Sequence, residues 1–298
     1  MNLREFWPGR KKLETPWPVY PEGKQKIALN ILLFIITMAT TILAGALQEG
    51  VNPLKDPGEI PKGMPFSFAL MGILMAHELG HYLIAKKHGL NVTLPYFIPA
   101  PSFIGTFGAF IKIRSAVRDR RMLLDVGAAG PLVGAIVSIP FLILGLRLSE
   151  VKIVQGEMGT HLGSSLFLSF LSWAVIGPLP DGYDIVLHPI GFAGWIGLLV
   201  TSLNLLPIGQ LDGGHVAYAL WGEKQNKISI IVFIVILAIG IFGWQGWLLW
   251  ALLLVLMGFR HPPLVDGWVP LDRKRKIIGW LAVAIFILTF TPVPFSGF

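Results

Sequence analysis

Within the sequence lies His77-Glu78-Leu79-Gly80-His81. Two histidines four residues apart share one face of a helix, one turn apart, where both imidazoles can grip a single Zn²⁺. Glu78 is turned about 100° from His77 around such a helix. From there its carboxylate can reach a water at the metal without taking a coordination position itself. That is the arrangement of a general base beside a Lewis acid. The motif sits inside an apolar run at 65–87. Two imidazoles and a carboxylate in such a run need a partner, and a metal ion satisfies all three.

The chain has no cysteine, so disulfides and thiolate ligation are excluded and any metal must use histidine and carboxylate. A catalytic zinc takes three protein ligands and keeps one position open. The third ligand is best sought in Asn204-Leu-Leu-Pro-Ile-Gly-Gln-Leu-Asp212-Gly-Gly-His215. Pro207 removes a helix hydrogen bond, and Gly209, Gly213 and Gly214 admit backbone that is not helical. Irregular backbone at membrane depth is tolerated where it lines a polar cavity, so Asp212 can face a metal there. His215 either supports Asp212 or packs between helices.

The elements that must position these groups are membrane helices. Of 298 residues, 54% are hydrophobic and 14% charged, against about 25% charged in soluble domains. Mean hydropathy is +0.67. This composition predicts a polytopic α-helical membrane protein with about seven spans, at 27–47, 65–87, 123–146, 190–206, 228–243, 246–259 and 277–291. A further apolar segment, 164–179, is short for a span and is expected to be re-entrant or peripheral. The chain divides into a basic interfacial N-terminal segment (1–26), a first span and loop (27–64), a catalytic membrane core (65–221) and C-terminal transmembrane helices (222–298). In the third expected span, Gly127, Ala128, Ala129, Gly130 and Gly134 offer a surface for close helix packing.

A net charge of +7 reads here as basic loops on a cytoplasmic face, with no nucleic-acid partner. With a cytoplasmic N-terminus and 164–184 not crossing, only Lys55, Lys62, Arg147 and Lys152 lie outside. The same topology brings the His77–His81 and Asp212 half-sites to one membrane depth. Asp125 is read as a helix-start charge or a partner of Arg120 or Arg121. His88, His161, His188 and His261 fall at or beyond span ends and are read as solvated or structural.

After the metal-binding helix, Phe107, Ala109, Ile111 and Ile113 alternate with Gly108, Phe110, Lys112 and Arg114, a strand pattern. Pro95, Pro99 and Pro101 precede it and would not propagate a helix. A short β-hairpin is expected, lying beside the metal site or merely tying two spans together.

The pairing of HELGH with the later N-x-x-P-x-x-x-L-D-G-G resembles the site-2 protease family of intramembrane zinc metalloproteases. Gly105-Thr-Phe-Gly-Ala-Phe-Ile111, Ala129-Gly130-Pro131 and His188-Pro-x-x-Phe-Ala-Gly-Trp195 are similar to its branch without PDZ domains, which includes chloroplast homologues. No loop in this sequence is long enough for a PDZ or CBS domain. The resemblance implies Zn²⁺ on His77, His81 and Asp212, catalysis by Glu78, and Asn204 holding the substrate carbonyl or stabilising the transition state. A polar tie between helices is the alternative role for Asn204. The implied reaction is peptide-bond hydrolysis in or near a transmembrane segment of a membrane-protein substrate, with Thr106, Phe107, Gly108, Ala109 and Phe110 pairing with it as a strand. The alternative is a membrane metal-ion transporter carrying its ion on the same His/Asp cluster. Glu78 counts against it, because transport needs no general base. The absence of a transit peptide points to a prokaryotic plasma membrane.

Overall fold

The structure, a computed structural model, describes residues 25–153 and 161–296; most of the expected interfacial segment 1–26 lies outside them. The order is α1 (Ile27–Gln48), a 3-10 turn (Pro57–Gly63), α2 (Met64–Lys87), β1 (Tyr96–Pro99), β2 (Thr106–Phe110) and α3 (Arg120–Leu148). There follow β3 (Glu150–Ile153), β4 (His161–Leu162), α4 (Leu166–Ile176), β5 (Tyr183–Val186), α5 (Pro189–Asn204) and α6 (Asp212–Trp221). The chain continues through α7 (Lys224–Phe242), α8 (Gly246–Met257), α9 (Arg273–Thr289) and β6 (Phe295–Ser296).

Four helical stretches among the described residues are long and apolar enough to cross a membrane: α1, the 3-10 turn with α2, α3 and α7. Of the seven expected spans, these account for four, and the other three fall on shorter helices. α5 has 16 residues, α8 has 12 and α9 has 17. At 1.5 Å per residue these are about 24, 18 and 26 Å, against a hydrocarbon core of about 30 Å. The reasons are local. α5 stops at Asn204, three residues before Pro207. α8 ends at Gly258, whose φ of +82° breaks the helix. The first turn of α9 is Arg273-Lys274-Arg275-Lys276. α4, at 11 residues, is shorter still.

Helices α2, α3 and α5 pack as the centre of the molecule. Phe66, Leu70, Met71 and Ile73 of α2, Leu124 and Leu142 of α3 and Ile196 of α5 are fully buried there. α1, α7 and α8 expose apolar faces instead: Ile31, Leu32 and Ile35; Ile230, Ile231 and Ile234; Leu249, Leu252 and Leu256. Apolar surface this extensive fits contact with lipid.

β1 and β2 form the antiparallel hairpin, with Tyr96 opposite Phe110, Phe97 opposite Ala109 and Pro99 opposite Thr106. After α3, β3 pairs with β5 and β4 with β6.

Charged groups fasten the helix ends. Asp119 caps α3 by accepting from the Met122 N–H at 2.8 Å. The Arg120 guanidinium, on the first turn of α3, donates to the Ala219 and Leu220 carbonyls at 2.7 and 2.9 Å and so closes the C-terminus of α6. Arg121 donates to the Pro270 carbonyl. Asp125 thus pairs with neither arginine. It takes Arg275 of α9, at 2.6 Å, and His88 past the end of α2, at 2.9 Å. Five residues along the helix place Asp125 about 140° from Arg120, facing α9 and α2 and away from α6.

Candidate metal centre

α2 delivers His77, Glu78 and His81 to the interior, each no more than 6% exposed. Imidazole rings need room against α3, and small residues provide it. A Cβ on Gly130 would lie 2.0 Å from His81 Nε2, and one on Gly134 would lie 2.8 Å from His77 Nδ1. His81 Nδ1 is 2.8 Å from the Val126 carbonyl oxygen. A carbonyl only accepts, so Nδ1 carries the proton and Nε2 keeps its lone pair. A metal-ligating histidine is commonly fixed in this way.

The opposing half comes from the broken segment between α5 and α6. Gly209 sits at φ +54°, and Asp212 begins α6 with Leu211 as N-cap. Carboxylates are favoured in a helix's first turn by the exposed N–H groups. Gly213 lets α6 fold back against the end of α5, since a Cβ there would be 1.9 Å from the Leu205 carbonyl oxygen.

Three donor atoms converge as a result. His77 Nε2 and His81 Nε2 are 3.2 Å apart, and Asp212 Oδ2 is 3.3 Å from the first and 3.2 Å from the second. Ligands about 2.0–2.1 Å from a tetrahedral Zn²⁺ stand about 3.3 Å from one another. The triangle therefore has the size, and its two nitrogens and one carboxylate oxygen the chemistry, of a catalytic zinc face. Among the described residues this is the one cluster able to hold a metal. Asn204 Nδ2 lies 3.4 Å from His77 Nε2, so the last residue of α5 brings its amide to the rim of the triangle.

Glu78 is not one of the three clustered donors, and the helix that carries it, α2, packs against β2. The expected strand therefore lies against the helix that carries His77, Glu78 and His81. Of its residues, Phe107 is 75% exposed and Phe110 47%. The Gly108 N–H donates to Thr106 Oγ1 at 2.9 Å, and Ala109 faces Phe97 across the hairpin.

One pair was not legible in the sequence. His215 Nδ1 and His261 Nε2 are 2.8 Å apart, and Tyr218 stacks on His261 with ring centroids 4.4 Å apart. His261 Nδ1 donates to the Pro262 carbonyl at 2.6 Å, so its Nε2 accepts and His215 Nδ1 donates. His261 lies in the loop before α9, where burial lowers its pKa. The two residues are 46 positions apart, with no shared motif to announce them.

A family profile described as Peptidase family M50 matches residues 65–242. The chain is 27% identical over 310 residues to "Probable zinc metalloprotease EGY1, chloroplastic" of Arabidopsis thaliana, covering 95% of this chain and 56% of that one. It is 31% identical to "Probable zinc metalloprotease EGY2, chloroplastic" of the same plant, covering 96% and 52%. To "Probable zinc metalloprotease EGY3, chloroplastic" of Oryza sativa subsp. indica it is 26% identical, covering 94% and 49%. The chain thus spans about half the length of these relatives. Their chloroplastic designation runs against the prokaryotic plasma membrane expected from the sequence. No solved structure matches the chain.

Proposed function

The chain belongs to peptidase family M50, the site-2 protease family, and from that premise we propose that it is an intramembrane zinc metalloendopeptidase. Its substrates are membrane proteins cut in or near a transmembrane segment, a step of regulated intramembrane proteolysis. The observation that carries this reading is the triangle of His77, His81 and Asp212 donors with edges of 3.2, 3.2 and 3.3 Å, beside a buried Glu78.

His77, His81 and Asp212 would hold the ion. When bound, zinc supplies Lewis acidity, polarising a peptide carbonyl and making water nucleophilic near neutral pH. Glu78 accepts the proton of the attacking water at its carboxylate and delivers it to the departing amine nitrogen. Asn204 Nδ2 donates to the oxygen that gains negative charge, a contact worth about 10²–10³ in rate in comparable sites. A helical substrate hides its carbonyls in its own hydrogen bonds. Residues Thr106–Phe110 of β2 hold it extended by strand pairing, and the exposed Phe107 and Phe110 rings offer the apolar contact.

The test is cleavage of a single-span substrate, co-reconstituted in vesicles with wild type or Glu78→Gln, with zinc measured on both. Cleavage by wild type alone, with zinc on both, is the expected result. Zinc on both with no cleavage, and zinc crossing the vesicle membrane, would replace the protease with a transporter.

A further inference from the structure

Helix α1 precedes the stretch matched by the M50 profile, which begins at residue 65, and it contributes no donor to the triangle. Thr37 and Thr41 bond within the helix or to Ser67 of α2, but three of its other polar side chains reach one object. Asn30 Nδ2 donates to the carbonyls of Leu94 and Pro95 at 3.1 and 2.8 Å. Thr40 Oγ1 has its shortest contact, 2.7 Å, with the Gly105 carbonyl. Gln48 Nε2 donates to the Phe103 carbonyl at 2.7 Å. Just before the helix, Gln25 Nε2 reaches the Val92 carbonyl at 3.2 Å. All the acceptors are backbone oxygens of the β1–β2 hairpin and its arms. From Asn30 to Gln48 the contacts run about 27 Å along the helix axis.

The fit is tight as well as polar. A Cβ on Gly105, whose φ is +83°, would lie 2.5 Å from the Thr40 carbonyl oxygen and 2.6 Å from Thr41 Cα. Phe34 meets the buried Phe97 edge-on at 5.2 Å. The same hairpin also packs against α2, the helix that carries Glu78. The hairpin is thus held between α1 and α2. Backbone carbonyls in an apolar setting are costly to leave unpaired, so these bonds fix the height of the strand with little slack.

We propose that α1 is the ruler for cleavage position: Asn30, Thr40 and Gln48 set the height of β2 against Glu78, and so which peptide bond of a paired substrate is cut. The inference rests on the proposed pairing of substrate with β2. One residue of strand spans about 3.4 Å, so a hairpin released from α1 can slide until a neighbouring bond faces Glu78. These three are positioning residues, acting through the hairpin.

The experiment maps the cut bonds by mass spectrometry in the reconstituted full chain, with zinc measured on each variant. Asn30→Leu and Thr40→Val should keep zinc and spread cleavage over adjacent bonds, reducing the share of the wild-type bond several-fold. Thr40→Ser, which keeps the hydroxyl, should restore the single bond. Gln48→Leu, at an exposed position, gives the same readout without threatening the fold. A wild-type bond distribution in all three deletion variants, at any rate of cleavage, overturns the ruler. Ala109→Pro separates the two readings: it should abolish cleavage with zinc retained. Wild-type cleavage by Ala109→Pro removes the strand pairing and the ruler together. Abolition there, with unchanged bonds in the α1 variants, removes the ruler alone.

Discussion

At His81 both ring nitrogens are committed, Nδ1 to the Val126 carbonyl and Nε2 to the point shared with His77 and Asp212. Replacing His77, His81 or Asp212 by alanine is therefore expected to empty the centre of zinc, read by metal analysis, and to abolish cleavage. Glu78→Gln keeps zinc and should lose activity by at least about 10²-fold, the usual scale for a general base. Asn204→Ala should lower kcat by about 10²–10³ with zinc retained. A subtler test is Gly130→Ala. Its methyl would fall 2.0 Å from His81 Nε2, and overpacking of this kind costs about 1–3 kcal/mol. The expected result is reduced zinc occupancy, with the helical circular dichroism unchanged. The three clustered donors were legible because HELGH and LDGG fix residue type and spacing. The room that Gly130 makes for His81 was visible only as a small-residue stripe, since a sequence does not say what packs against it.

Between elements, the ties are made by charged groups far apart in the chain. Asp125, 16% exposed, holds Arg275 and His88 and thereby joins α3, α9 and the end of α2. Asp125→Asn should lower stability by about 1–3 kcal/mol, because it leaves the partly buried Arg275 guanidinium short of an acceptor; thermal unfolding in detergent reads the shift. Asp272 caps α9 and also receives Arg275. Those hydrogen bonds lower its pKa from 3.8 to about 2. A depressed carboxylate contributes stability that is fully present above its ordinary pKa and lost as pH falls through the folded value. The acid limb of stability between pH 3.8 and 2 should accordingly flatten in Asp272→Asn. Local sequence suggested Arg120 or Arg121 as partners for Asp125. Both instead satisfy the carbonyls of other elements, a choice made by helix packing 99 to 150 residues away. The hairpin, by contrast, was legible, because alternation and proline punctuation are local signals.

For the molecule as a whole, hydropathy located nearly every apolar helix, and four of the stretches it found are long and apolar enough to cross. Apolar length is written in composition, whereas helix length is decided by where the backbone hydrogen bonds stop, at Asn204 and at Gly258. The shortfall has a physical cost at α8. This helix turns Leu249, Leu252 and Leu256 outward over only 12 residues, an apolar flank about 18 Å tall. A bilayer meeting that flank must thin, and thinning costs a fraction of a kcal/mol per Å of mismatch. Cleavage in vesicles should therefore quicken as acyl chains shorten from about 18 to about 14 carbons, measured at constant protein-to-lipid ratio. Within a membrane of uneven thickness, the protein would gather in the thinner regions, and a short-spanned substrate would find it there without being recognised by sequence at all.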